Sequence, residues 1–207
     1  MSEGDLDLAS AEKRRTLWMV LWLNVAIAVG FFVTGYIGDS NALLANGLDN
    51  SADAVVYGLS LLALSRSRRW KRGAARFSGV MLLIFAAGVI ADAVRRYVDG
   101  SAPGGLTMMV MAAVAAAVNL RSLQLLNRMK SKDVNLRAAT TFSFNDFVSN
   151  GGIIVAGVIV MLTGANWPDL LVGIAVACIA FYGGIEILRD AHTDKHEEKG
   201  TEHKPWF

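Results

Sequence analysis

Long apolar blocks alternate with short polar or basic breaks along the whole chain. Six such blocks stand out, over residues 16–36, 42–64, 77–94, 106–126, 138–162 and 170–188. Each is close to the ~20 residues a helix needs to cross the hydrocarbon of a bilayer. The breaks IGDSN at 37–41, SAPGG at 101–105 and GANWPD at 164–169 carry turn chemistry rich in Gly, Pro, Asn and Asp. The pattern predicts an all-α membrane protein: a six-transmembrane-helix bundle over 16–189, preceded by an N-terminal segment, 1–15, and followed by a short polar tail, 190–207.

Charge placement orients the bundle. Lys and Arg gather in the N-terminal segment (Lys13, Arg14, Arg15), in the second-to-third connection (Arg66, Arg68, Arg69, Lys71, Arg72, Arg76) and in the fourth-to-fifth (Arg128, Lys130, Lys132, Arg137). The first-to-second and fifth-to-sixth connections hold none, so the positive-inside rule puts both termini in the cytoplasm. Arg95 and Arg96 are a discordant pair, with Asp92 beside them as a partner that pairs or faces water. The basic connections are expected to serve topology and to meet anionic lipid.

Composition agrees with the membrane class. The 207 residues are 54% hydrophobic, with a mean hydropathy of +0.41. A net charge of +2 is too small to carry an argument, and no nucleic-acid partner is expected. A single cysteine, Cys178, excludes an internal disulfide and is expected as a small core residue. The N-terminus, polar and acidic before its basic run, is unlike a cleaved signal peptide. Trp18 and Trp22 fit an interfacial aromatic belt, Asn24 a helix–helix hydrogen bond, and the Ala- and Met-rich fourth block close helix packing.

The candidate chemistry lies in three acids that interrupt these blocks. Asp49 and Asp53 fall inside the second block, four residues apart, on one helix face and about 6 Å apart along the axis. Asp146 falls inside the fifth, in FSFNDFVSNGG. Each acid near a bilayer centre costs about 2.5–3.5 kcal/mol on insertion scales, and no Lys, Arg or His lies near mid-span to offset it. Acids at this depth mark ion or proton paths. The same carboxylates hold protons when empty and give them up to bind a cation as anions, which is the basis of metal/proton exchange.

These residues carry a resemblance. DSNALLANGLDNSAD leading into the second helix, NLRAATTFSFND opening the fifth and WPDLLVG starting the sixth resemble the cation diffusion facilitators, proton-coupled exporters of divalent transition metals, over about 17–191. The family's motif of His or Asp, three residues, then Asp falls on Asp49 and Asp53 in the second helix, and on Phe142 and Asp146 in the fifth. The resemblance implies a metal site of Asp49, Asp53 and Asp146, a homodimer through the membrane helices, and residence in a bacterial cytoplasmic (inner) membrane. The expected cargo is Zn2+ or a similar ion such as Cd2+, Co2+, Fe2+ or Mn2+, exported in exchange for protons, with no prosthetic group.

Two departures from the family pattern shape the expectation. Phe142 cannot coordinate, so the missing ligand is sought at Ser143 or Asn150, one turn from Asp146, then at Asn145, Asn46, Asn50 or a water. Asn46 falls where many members carry a further Asp. Without an imidazole the site is all-oxygen, which favours harder or less selective binding. Members with a cytoplasmic metal-binding domain carry it after the sixth helix, and only about 18 residues follow Arg189, which reads as a short form. The tail holds His192, His196 and His203, read as part of a solvated, disordered charged run ahead of a metal-collecting segment. An enzyme is not expected, because no metal-hydrolase spacing such as HExxH appears. The alternative is a non-transporting metal sensor or partner protein with an incomplete ligand set.

Overall fold

A computed structural model describes residues 3–62, 68–128 and 134–202. The described residues form six helices and no strand: α1 Glu3–Ile37, α2 Asn41–Leu62, α3 Arg68–Asp99, α4 Gly105–Arg128, α5 Val134–Thr163 and α6 Trp167–Glu202. Each expected apolar block lies within or nearly within one helix, but the helices run further. The N-terminal segment is helical from Glu3, α3 starts inside the basic connection at Arg68, and α6 continues through the tail to Glu202 where disorder was expected. Strong helix formers such as Lys, Arg and Glu allow a helix to leave the apolar zone and continue. His203 and the side chains of His196 and Phe142 lie outside the described residues.

Five helices are long and apolar enough to cross a membrane, and the chain is an integral membrane protein. The five do not include α2, whose apolar run is broken by Asn46, Asp49, Asn50, Ser51 and Asp53. This helix is the hub of the bundle, touching all five others and contributing to each of four apolar clusters. Its polar groups therefore face protein: Asn41, Asn46 and Asn50 are fully buried and Asp53 nearly so. In a bilayer this is the place for an unusually polar helix, because backbone and side-chain polar groups must be satisfied within the protein. The outward faces of the other helices are apolar, with Val29, Phe32, Ile84, Phe85, Val110 and Leu171 among the exposed side chains.

Trp18 and Trp22 face outward as expected. Cys178 corrects its expectation: it is exposed on α6, on the outward side of a helix whose inner face holds Val176, Ala177 and Ala180. Asn24 also differs. Its amide donates to the Val20 carbonyl one turn back in its own helix, at 3.0 Å, and bridges no helices in this way.

Small residues set the helix crossings. α4 and α5 touch backbone to backbone at Gly105 and Gly157, where a Cβ on Gly157 would stand 2.8 Å from the Gly105 carbonyl oxygen. α3 and α6 meet similarly at Gly79 and Gly184. Close approach of this kind replaces the hydrophobic drive that lipid cannot supply. Gly157→Leu is expected to cost about 2–3 kcal/mol by overpacking a contact that backbone cannot yield. Gly88→Leu, where a new Cβ meets nothing within 4 Å, is expected to cost nothing. Thermal unfolding in detergent compares the two, and equal midpoints would refute the close crossing.

Candidate metal site

The site is positioned from two ends. At the turn before α2, Asp39 takes a left-handed backbone (φ 50°), a conformation Asp tolerates better than most residues. Ser40 then caps α2, its Oγ accepting from the Leu43 amide at 3.2 Å. The buried Asp169 of α6 completes the cap: its carboxylate accepts from Ser40 Oγ at 2.5 Å, from the Asn41 amide at 2.8 Å and from the Ala42 amide at 3.1 Å. Gly173, one turn along α6, lets α2 approach closely, since any Cβ there would overlap Asn41 Oδ1.

Arg96 ties α3 into the same corner. Its buried guanidinium pairs with Asp39 and with Asp92, the latter at 2.5 Å, and donates to the Asp39 carbonyl at 2.8 Å. Asp92 also pairs with Arg95 at 2.6 Å and accepts from Asn41 Nδ2 at 3.4 Å. The expectation that Asp92 pairs with its neighbouring arginines holds.

Further along the membrane depth, an asparagine bridge sets α2 against α5. Asn46 Nδ2 donates to Asn150 Oδ1 at 2.9 Å, and Ser149 Oγ donates to Asn46 Oδ1 at 3.0 Å. The two helices run in opposite directions, so one turn beyond this bridge brings Asp49 of α2 level with Asp146 of α5. Their carboxyl groups lie within hydrogen-bonding reach of each other. Asp53 follows one turn on. All three acids line one cavity of about 450 Å³ between α2, α3, α5 and α6.

Bonding and cavity lining, more than burial, separate the acids from their alternatives. Asp146 is 2% exposed and Asp53 8%, and the Oδ2 atom of each is buried without a hydrogen-bond partner. Asp49 is half-buried. Among the candidate additional ligands, Asn145 lines the cavity and is exposed. Asn46 and Asn150 are committed to their bridge, although Asn150 Nδ2 has no partner of its own. Asn50 donates to the Asn46 carbonyl at 2.9 Å and keeps a buried, unpartnered Oδ1. Asn50 and Ser143 are buried but do not line the cavity.

Among the described residues no three His, Cys, Asp or Glu side chains close on one point tightly enough to hold a metal ion as they stand. The acids line a chamber rather than a finished cage. A cation or a proton placed between two such carboxylates relieves their repulsion, and the open oxygens of Asp53 and Asp146 are the groups left to take it. Glu186 of α6 lines the same cavity and was missed in the sequence. Its signal there is faint: it shares a helical face with Ile179 and Gly183, but nothing in the pattern says that this face looks onto α2.

The molecule is thus a helical membrane protein with a polar central helix and paired acids in a chamber at its side. Residues 17–194 match the Cation efflux transmembrane domain, and the chain belongs to the cation diffusion facilitator family. It is similar to the zinc transporter ZitB of Escherichia coli (strain K12), 27% identical over 172 residues, which is 77% of this chain and 55% of the relative. It is 22% identical over 174 residues to the metal cation efflux system protein CzcD of Cupriavidus metallidurans, covering 78% of this chain and 55% of that one. A cadmium, cobalt and zinc/H(+)-K(+) antiporter of Bacillus subtilis (strain 168) is 20% identical over 190 residues, covering 83% and 61% respectively. The chain thus spans little more than half the length of these relatives.

Proposed function

We propose that the chain is a secondary transporter that exports divalent transition-metal cations from the cytoplasm in exchange for protons. Asp49, Asp53 and Asp146 bind metal and protons alternately. The observation that carries the reading is the pair of buried, unpartnered carboxylate oxygens of Asp53 and Asp146 in one chamber with Asp49. Buried carboxylate oxygens without partners at this depth are costly to keep unless a cation or a proton occupies them. Family membership and the names of the relatives, a zinc transporter and a cadmium, cobalt and zinc antiporter, support the cargo class. Oxygen donors without an imidazole leave Zn2+, Cd2+, Co2+, Fe2+ and Mn2+ as candidates.

In this reading α2 is a sixth crossing, shielded from lipid by its neighbours, and both termini are cytoplasmic. The discordant Arg95 and Arg96 no longer weigh against that orientation, because both pair with Asp92 and Arg96 also pairs with Asp39. The protein acts without a prosthetic group and not as an enzyme, as a homodimer in a bacterial inner membrane.

Purified protein in liposomes loaded with a pH-sensitive dye tests the exchange. Zinc added on one side is expected to move protons the other way, in proportion to metal taken up. Metal uptake with no proton movement would overturn the exchange. Stoichiometric zinc binding without any flux would favour the sensor reading instead.

A further inference from the structure

Glu186 has no task in the exchange as described, yet it shares the cavity with the three acids. Its depth follows from how α2 and α6 are pinned together. The Asp169 carboxylate holds the Asn41 and Ala42 amides, so the two helices begin at one level and run the same way. Asp53 follows Asn41 by 12 residues and Glu186 follows Asp169 by 17. At 1.5 Å per residue, Glu186 lies about 7–8 Å nearer the end of the bundle that carries the basic connections.

Exposure runs in the same order. Asp146 and Asp53 are buried with unpartnered Oδ2 atoms, whereas Glu186 is exposed. The cavity wall around them is largely apolar, with Val56, Leu82, Ala180 and Ile187, and a Cβ on Gly183 would meet nothing within 4 Å. A cation approaching from that end passes Lys- and Arg-rich connections that repel it. Glu186 is the first carboxylate of the chamber that it meets, with open space leading on to the buried acids.

We infer that Glu186 is the loading carboxylate of this chamber: it captures a divalent cation at the mouth and delivers it to Asp49, Asp53 and Asp146. The inference rests on the proposed transport function. A charge at a cleft mouth raises the rate of capture more than it changes the step that follows, and its effect fades as salt screens it.

Initial rates of zinc uptake into inside-out vesicles, measured against zinc concentration at low and raised ionic strength, test it. Glu186→Gln is expected to raise the half-saturating zinc concentration about tenfold at low salt, with the maximal rate within about twofold of wild type. That gap should narrow at high salt, and Glu186→Asp should close most of it. A wild-type half-saturation in Glu186→Gln would overturn the inference. So would loss of flux at saturating zinc, which would place Glu186 within the binding cage. Asp53→Asn in the same assay separates the two readings: its loss of flux with an unaffected Glu186→Gln removes only the loading role, while its retention of flux removes the transport site itself.

Discussion

Asp53→Asn is expected to abolish zinc flux, by about 100-fold or more, and to leave the folded bundle intact. Removing a mere outer-shell partner of a metal ligand costs 10–100-fold, and a carboxylate that binds the ion directly contributes more. Stability should not suffer, because Asp53 Oδ2 is buried without a partner and its loss breaks no hydrogen bond there. Replacing an isolated buried acid by a neutral near-isostere leaves stability equal to wild type or above it. A purified variant that melts at or above the wild-type midpoint while failing to move zinc is the expected outcome. Flux within twofold of wild type would remove Asp53 from the site.

The acidic chamber behind this expectation was legible in the sequence only in part. The four-residue spacing of Asp49 and Asp53 and the lone Asp146 announced an acidic site, because intramembrane acids without basic partners have few other uses. Their meeting was not legible. It depends on the Asn46–Asn150–Ser149 bridge, and asparagines at those positions read equally well as ligands until the bond partners are known. Two of the candidate ligands, Asn46 and Asn150, hydrogen-bond to each other across α2 and α5.

Glu186 illustrates the same limit from the other side. An acid near the end of an apolar block reads as a headgroup-level residue, and only the packing of α6 on α2 turns it into the chamber. Cys178 failed for a related reason. Inside a membrane protein both faces of a helix are apolar, so composition does not say which one meets lipid. The six helices of the described residues, by contrast, followed from the alternation of long apolar blocks with turn breaks near 37–41, 101–105 and 164–169 and with basic connections.

The largest stability effect is expected at Asp169, a residue the pattern assigned only to a turn. Its carboxylate accepts three hydrogen bonds, two of them from backbone amides in the first turn of α2, and it is fully buried. The first amides of a helix have no partner within it, and the helix dipole places partial positive charge there, so a buried anion suits the position twice over. Asp169→Ala strands the Asn41 and Ala42 amides and Ser40 Oγ away from water. Leaving a buried donor unsatisfied costs about 1–3 kcal/mol, so the variant is expected to lose about 3–5 kcal/mol. Asp169→Asn keeps the shape but turns an amide donor towards at least one of the same donors, and should recover less than half of that loss. Because the cap fixes where α2 starts, and α2 carries Asp49 and Asp53, zinc flux at growth temperature should fall together with the unfolding midpoint. Asp169→Ala that melts within 1 °C of wild type in detergent would show that α2 is held in place by its packing on the other five helices and not by its cap.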